Sequence, residues 1–507
     1  MVTKADLEEA LKKAQGVEPA PCEEEKPGAE KGEKQSQASK LAELVDPQAL
    51  FHDEAMECYA RVPVDTHFET HRLNSDNFKR YLVGKYYFET GKAPSKESIS
   101  SAILPLEAIA TYQGECRPAF VRLGEANGAV YVDLGGEDWS TVEITASGWS
   151  VRNDAPVALH RPPGLKALPM PSKDGDISLL RRFLNVDEDG FILSVAWIIG
   201  AHSPKGPYPV EILDGEHGSS KSTNTRFQRG CVDPHASPLR SAPKCEQDLI
   251  IAANNSRVVA LDNLSTVHPW LSDGICRLAT GGGFSARKMY TDRDEQLFSL
   301  MRPVILNGIG TLVGAPDLAD RGLFIKLQSI RDCDRLPEKE LFEQFDAALP
   351  SILGGIYDAV SEALRNLPNT KIKSLPRMAD FALWVCAAEP ALPWAAGRFL
   401  EVYGNNRASV VADTLENSRL GAAVMAWARG LADSWQGTAS ELLAALEDGQ
   451  SDGALSSKGW PKSPSALSRK LAMFKGFLRQ AGIEVDTDHR IGASRAIRIV
   501  RLSDEFL

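Results

Sequence analysis

The sequence has no C-x-x-C pair. Its eight cysteines, Cys22, Cys58, Cys116, Cys231, Cys245, Cys276, Cys333 and Cys386, are scattered over 507 residues, a usage that predicts reduced thiols and no zinc site. Long apolar runs are missing as well. The longest, Phe191 to Ala201, is about half a bilayer span, and no signal-peptide pattern opens the polar N-terminus. These absences predict a cytoplasmic protein without a membrane partner. An excess of positive charge is also lacking: a net charge of −11 weighs against nonspecific coating of nucleic acid while leaving room for a local basic site. What is present is ordinary for a folded soluble chain, with 43% hydrophobic and 25% charged residues. The length exceeds what one core serves, so about three domains are expected.

Residues 1–40, rich in Glu, Lys, Ala and Gln and poor in branched and aromatic side chains, read as a disordered tail. Residues 41–172 read as a small α+β domain. Ser95, with Glu97 and Ser98 following, can cap a helix carrying Ile99, Ile103, Leu106 and Ile109 on one side. The period then changes to two, and Val130–Val132, Val142–Ile144 and Trp149–Val151 are expected strands between Gly- and Ser-rich turns. The acids Asp133, Asp138 and Glu143 read as solvated faces and turn residues of this meander rather than metal ligands. Pro162, Pro163, Pro169 and Pro171 mark a linker. Residues 176–335 are then expected to form a P-loop core, opened by helices at Ile177–Leu184 and Phe191–Ala201.

The informative stretch starts at Pro209. An apolar run stops at Asp214, the glycine-broken turn Gly215-Glu216-His217-Gly218-Ser219-Ser220 follows, and Lys221-Ser222-Thr223 opens a segment able to continue as a helix through Phe227. Strand, loop and helix in that order predict a phosphate cradle for a nucleoside triphosphate. Backbone N–H groups would face the β-phosphate, Lys221 would bridge the β- and γ-phosphates, and Ser222 would hold Mg²⁺. The pattern G-x-x-x-x-G-K-[ST] is met at Gly215, Lys221 and Ser222, but Ser220 stands where its second glycine belongs. Gly218 is expected to supply part of the lost backbone freedom. The competing reading is an ordinary strand-turn-helix.

Three later stretches are ordered around this one. Val258–Leu261 fits a strand buried on both faces, and Asp262 would emerge at its end as the Mg²⁺ partner of Ser222. The next position, where a carboxylate would orient the attacking water, is Asn263, and an amide is a poor base. Val304–Leu306 ends in Asn307, either a phosphate and water contact or a turn former. Arg321 precedes another strand. In a ring of subunits such an arginine reaches the neighbour's γ-phosphate; the alternative is an ion pair with Asp317 or Asp320. Arg287 and Lys288 follow Gly281-Gly282-Gly283-Phe284, on a hairpin that would carry them to single-stranded DNA in a central pore, unless they belong to a solvated turn.

Residues 336–431 are helical by pattern, a lid on the nucleotide domain. Residues 432–507 give helix, helix, helix and hairpin, the order of a winged helix. Between Lys462 and Arg501 the bases Lys462, Arg469, Lys470, Lys475, Arg479, Arg490, Arg495, Arg498 and Arg501 outnumber the acids Glu484, Asp486 and Asp488, which suggests DNA, with a protein contact as the alternative.

The segment Cys276–Tyr290 with its Thr280-Gly281-Gly282-Gly283 run, followed by Val304–Gly308, resembles the latter half of a superfamily 3 helicase core. The order of phosphate loop, acidic strand, basic hairpin, asparagine and arginine is reproduced over roughly residues 205 to 330. The wider chain is similar to phage- and mobile-element-encoded ATPases of the poxvirus-type primase–helicase class. The resemblance implies a multidomain α/β protein with an ASCE/AAA+-like P-loop core. It also implies ATP and Mg²⁺ as cofactors, a homo-hexameric ring, and ATP-driven translocation on DNA. Ser220 and Asn263 depart from the family pattern, and both departures bear on hydrolysis rather than on the fold. Residues 41–172 carry no primase motif. Three readings follow: a ring DNA translocase or helicase of a mobile element; a slow or non-hydrolysing nucleotide switch gating a partner, as in phage defence; and a small-molecule phosphotransferase, for which no acceptor pocket is visible in the sequence.

Overall fold

The structure, a computed structural model, describes residues 35–502 apart from 217, 288–294, 309–315, 432, 449, 457–458 and 492–493. Most of the expected N-terminal tail lies outside the described residues. Residues 37–40, placed in that tail by composition, instead open a helix, α1 (Gln37–Glu43), because Ser36 Oγ accepts from the Ser39 N–H and Leu41 is buried. The chain continues through β1 (Leu50–His52), β2 (Cys58–Val64), β3 (His67–Arg72), α2 (Asp76–Thr90), α3 (Lys96–Tyr112) and β4 (Glu115–Cys116). Serines 75 and 95 cap α2 and α3, as the sequence pattern at Ser95 predicts. Leu82, Ile103 and Leu106 close a small core over the sheet β3-β2-β1-β4.

After β5 (Ala119–Phe120) comes an antiparallel meander of β6 (Leu123–Ala126), β7 (Ala129–Asp133), β8 (Thr141–Thr145) and β9 (Gly148–Arg152), then β10 (Ala158–Leu159). The three strands expected from alternation are β7 to β9. Their apolar face does not close a domain with α1–α3. It joins a cluster with residues 177–403, and Trp149 Nε1 donates to Asp358 Oδ1 at 2.9 Å. The hydrophobic cores therefore run across the boundary expected at residue 172. The prolines that lead up to it are not a free linker either: Leu168 is buried, its N–H bonds the Leu134 carbonyl, and the Ser172 N–H bonds Pro350 O. Of the three acids expected to be solvated, Asp133 is buried, gripped by Arg161 at 2.6 and 2.8 Å. Among the described residues no His, Cys, Asp or Glu cluster could hold a metal.

Ile177–Arg182 forms a short 3-10 segment rather than an α-helix. The next helix, α4 (Glu188–Ala201), starts earlier than its apolar run because Asp187 accepts from the Gly190 N–H. β11 (Val210–Asp214), α5 (Lys221–Val232), α6 (Glu246–Asn254), β12 (Val259–Leu264) and α7 (Pro269–Thr280) follow. The hairpin β13 (Gly282–Arg287) and β14 (Glu295–Leu300), then β15 (Val304–Gly308), α8 (Pro316–Ala319) and β16 (Gly322–Lys326), complete this region. Strands β12-β15-β11-β16 form one parallel sheet. Side chains alternate across it: Leu213, Ala260, Ile305 and Leu323 enter one core with α4 and α5, while Ile212, Val259, Leu261 and Val304 enter another with α6 and α7.

The helices α9 (Glu338–Asn366), α10 (Ala379–Ala388), α11 (Arg398–Asn417) and α12 (Arg419–Arg429) come next. A final unit has β17 (Ser434–Gly437), α13 (Ala439–Glu447), α14 (Asp452–Ser456), α15 (Pro464–Gln480), β18 (Ile483–Asp486), β19 (Arg490–Ile491), β20 (Ser494–Arg495) and β21 (Ile497–Arg501). Three helices precede antiparallel strands, α13 with a full capping box at Thr438 and Glu441, but the second and third helices expected from the sequence, Ser463–Phe474 and one ending at Gly482, are the single helix α15, and α14 is additional. The strand β17 carries no recognisable sequence signal. Leu420 and Val424 of α12 pack with Leu467 and Ile499, so α12 shares its core with this unit rather than only with the lid. Among the described residues no helix is long and apolar enough to cross a membrane.

One core residue breaks the apolar pattern. Glu211, in the middle strand pair, is fully buried beside Gln228, and neither carboxylate oxygen has a well-formed hydrogen bond. Burial pushes its pKa well above the usual carboxylate range, against a smaller lowering by Gln228. A raised folded-state pKa gives stability that is full below the unfolded value, about 4.3, and is lost as pH rises towards the folded value. Each pH unit in that window costs at most about 1.4 kcal/mol. Glu211→Gln should therefore flatten the loss of stability between pH 5 and 8 in urea melts. Equal pH slopes for the two proteins would show that Glu211 is not the titrating group.

Candidate functional site

The loop between β11 and α5 is built by local hydrogen bonds. Asp214 Oδ1 accepts from the Gly215 N–H at 2.9 Å, and Ser219 Oγ donates to Glu216 O at 2.9 Å. Asn185 Nδ2 clamps the loop from outside, donating to Ser219 O at 3.1 Å and Gln328 O at 2.6 Å. Gly218 has φ +80, and Ser220 also lies in the left-handed region at φ 65, ψ 35. Gly218 thus does not relieve Ser220 of the conformation that the glycine of the pattern would take. The serine adopts it itself, at a cost of roughly 1–2 kcal/mol. Ser220 at the N-cap makes no side-chain hydrogen bond to α5, so the first N–H groups of that helix open onto the loop, where a helix dipole attracts an anion. Glu216 and Ser222 are exposed, Thr223 is partly so, and His217 lies outside the described residues.

Lys221 Nζ folds back onto this loop, donating to Gly215 O at 2.6 Å and Glu216 O at 2.8 Å. Ser222 Oγ donates to Asp262 Oδ1 at 2.8 Å. Because β15 lies between β11 and β12, Asn307 is flanked by the phosphate-loop strand and the acidic strand. Its Oδ1 accepts from the Asn263 N–H at 2.9 Å, and its Nδ2 donates to Thr225 Oγ1 at 2.8 Å. Both ends of the amide are engaged and the residue is 1% exposed. Asn307 positions the turn at Asn263 rather than presenting a free group of its own. Asn263 itself is exposed, at φ +57 beside an irregularity in the β12 pairing, a conformation that asparagine and aspartate tolerate better than most residues.

The remaining candidates lie elsewhere. Arg321 precedes β16 at the N-terminal edge of the sheet, because Val210 pairs with Gly322 while Asp214 pairs with Lys326. A strand's length, roughly 16 Å, separates it from the loop of its own chain. Its Nη1 donates to Asp317 O at 2.9 Å with Asp317 Oδ1 at 3.7 Å, the intrachain alternative left open by the sequence; Asp320 instead holds Arg377 and Arg407. Arg287 ends β13, opposite Glu295, in the expected hairpin. Its side chain and all of Lys288 lie outside the described residues. Two contributors escaped the sequence reading. Asn185 clamps the loop, and Arg335 lies so close to Gly218 that a Cβ there would stand 2.9 Å from Arg335 Nη2. Neither falls at a spacing that announces it.

An uncapped helix N-terminus beside an ammonium can hold a polyphosphate, and a hydroxyl–carboxylate pair offers two hard oxygens to Mg²⁺. With no third protein ligand among the described residues, such an ion would complete its shell from phosphate and water.

Residues 177–413 match the family model of the actinomycete integrative conjugative element replication protein, and residues 420–505 match that of its C-terminal domain. The two stretches together span well over half of the chain. The chain belongs to this replication-protein family. The two matches meet at residues 413–420, at the end of α11, while the core packing changes within α11, between Tyr403 and Val410. No curated protein matches the chain. Among solved structures, it is similar to the A-form apo structure of the NrS-1 C-terminal region at 11% identity and TM-score 0.38, over 93% of this replication protein and 100% of that chain. A second A-form structure of that region, residues 305–718, gives 11% and 0.37 over 90% and 96%. A further apo structure gives 12% and 0.38 over 93% and 100%.

Ser220→Gly should relieve the left-handed strain and raise unfolding stability by about 1 kcal/mol. Urea titration measures it, and an unchanged or lowered midpoint would mean that the serine side chain stabilises the loop in a way its hydrogen bonds do not reveal.

Proposed function

We propose that this replication protein is an ATP-dependent DNA translocase or helicase that works as a homo-hexameric ring for its mobile element. The observation that carries the reading is the convergence of Lys221, the Ser222–Asp262 pair and Asn263 with an uncapped helix N-terminus at the C-terminal edge of one parallel sheet. Family membership supplies the replication context. The P-loop core is read as ASCE/AAA+-like, with β15 between the phosphate-loop and acidic strands, and the C-terminal unit as a winged helix.

In this reading the N–H groups of the loop and of the start of α5 would cradle the phosphates of ATP, Lys221 would leave the loop carbonyls for them, and Ser222 and Asp262 would hold Mg²⁺. Bound MgATP supplies the phosphoanhydride whose cleavage drives movement. Asn307 holds Asn263 where it can orient water, though an amide cannot take the proton as a carboxylate would. Arg335 adds positive charge over the loop in cis. Arg321, remote from its own loop, serves a neighbouring subunit. The hairpin bases Arg287 and Lys288 grip single-stranded DNA in the pore, and exposed bases of the winged helix, among them Arg469, Lys475 and Arg498, meet duplex phosphates.

A second reading rests on one specific feature, Asn263 at the place of the missing carboxylate. There the protein is a slow nucleotide switch gating a partner, and the absence of DNA-stimulated turnover would favour it over the motor.

Lys221→Ala should weaken ATP binding at least about tenfold by calorimetry, since charge-assisted phosphate contacts are strong. Unchanged affinity would remove the phosphate-loop assignment. Arg321→Ala should keep ATP affinity within about twofold and lose turnover, and mixing it with Lys221→Ala should restore part of the activity. If no mixing ratio restores any, the arginine does not act in trans.

A further inference from the structure

A cavity of about 680 Å³ lies where the sheet β3-β2-β1-β4 and β5 meet the N-terminal edge of the parallel sheet. It is on the far side of the sheet from the phosphate loop. Five cations line it: Arg72 at the end of β3, Arg117 after β4, Lys205 and Arg257 before β11 and β12, and Arg302 before β15. Three carboxylates, Asp53, Glu54 and Glu57, share the lining, so positive charge prevails locally in a chain whose net charge is −11.

Two of the guanidinium groups are held by neutral acceptors. Arg257 is 5% exposed, and its Nη2 donates to Ala201 O at 2.9 Å, Ser203 O at 2.7 Å and the Tyr208 hydroxyl at 2.8 Å. Arg302 Nε donates to Ala253 O at 2.9 Å and Ser256 O at 3.2 Å. The carboxylate paired with Arg117, Glu115, is 4.0 Å away. Four buried nitrogens on this lining have no hydrogen-bond partner among the described residues: Nε of Arg72, Arg117 and Arg257, and Nε2 of His160. Burial, followed by the charge of Arg257, draws the pKa of Arg302 down to about 10, and burial with Arg72 and His71 draws that of His160 to about 3. Like charges converging in a low-dielectric cavity repel one another, and leaving buried donors unpaired is expensive, so the lining is short of an anion.

We propose that this cavity binds the phosphate of a nucleotide. Arginine forks match phosphate oxygens in pairs, the half-buried ring of Phe120 on the same lining can meet a base, and the volume suits a small ligand. The nucleotide is either free or the end of a DNA strand. The site is separate from the phosphate loop and does not depend on that loop binding ATP.

The test uses the full chain carrying Lys221→Ala, with calorimetric titration of AMP and of the 5′-phosphorylated trinucleotide pTpTpT. At least one probe should bind, and adding Arg72→Gln with Arg117→Gln should weaken it at least about tenfold. AMP binding identifies a free nucleotide as the source, and binding of the trinucleotide alone identifies a strand end. If the double substitution unfolds the protein, Lys205→Gln, whose side chain is 77% exposed, should weaken the same probe about threefold. Binding of neither probe, or affinities indifferent to these substitutions, would overturn the proposal. The ATP result at Lys221 bears on the phosphate loop alone, so either assignment can fail without the other.

Discussion

The arrangement at the C-terminal edge of the parallel sheet depends on the side-chain amide of Asn307. A buried amide must have its donor and acceptor satisfied, and here one oxygen and one nitrogen join three elements: the turn after β12, the strand β15 and the helix α5. Thr225 lies one turn beyond Lys221 on that helix, and its own hydroxyl donates to Lys221 O. The amide therefore fixes the helix that carries Lys221 and Ser222 relative to the strand end that carries Asp262. The 2.8 Å Ser222–Asp262 bond is a consequence of that register. A hydrophobic residue at 307 would fill the space but leave the Asn263 N–H without its acceptor and the Thr225 oxygen without its donor, which is the costly kind of substitution.

The sheet can hold this edge steady because both of its faces are covered. Alternate side chains of β11, β12 and β15 enter two separate cores, one extending to the meander and α9, the other to α12 and the C-terminal unit. Units that look separable by sequence are thereby tied to the strands that carry the site. Ile212 and Leu261 share one continuous core with Leu467 and Ile499 of the C-terminal unit. This gives the proposed motor a physical connection between the nucleotide edge and the elements that would meet DNA, through close-packed side chains that transmit strain.

How much of this was legible in the sequence follows from the range of each interaction. The strand ending at Asp214, the helix opening at Lys221, the acidic strand and the hairpin could all be read, since periodicity and turn residues are local signals. The side-chain cap at Ser95 was legible for the same reason. Asp187 is also a local cap, but the apolar run beginning at Phe191 drew the expected helix start past it. What escaped depends on distant partners: Asn185 and Arg335 at the loop, the meander packed on α9, and the satisfied amide of Asn307. Ser220 is a different case. The motif position was recognised, but which residue would carry the left-handed backbone conformation could not be inferred from composition, and the strain fell on the serine itself.

Charge placement separates the two edges of the sheet. At the C-terminal edge the one ammonium of the loop is neutralised locally by carbonyl dipoles, and Asp262 stands nearby, so an anion arriving there must compete with ready-made partners. At the N-terminal edge, Arg257 and Arg302 are already buried on carbonyls and a hydroxyl, and their mutual repulsion is present before anything binds. Preorganised, partly unpaired cations lose little conformational entropy on meeting an anion, whereas Lys221 must break two hydrogen bonds to reach one. The loop is thus suited to a ligand that exchanges readily. The cavity is suited to one that stays, and a resident nucleotide there would relieve the repulsion between Arg257 and Arg302 at the very edge where β11, β12 and β15 begin.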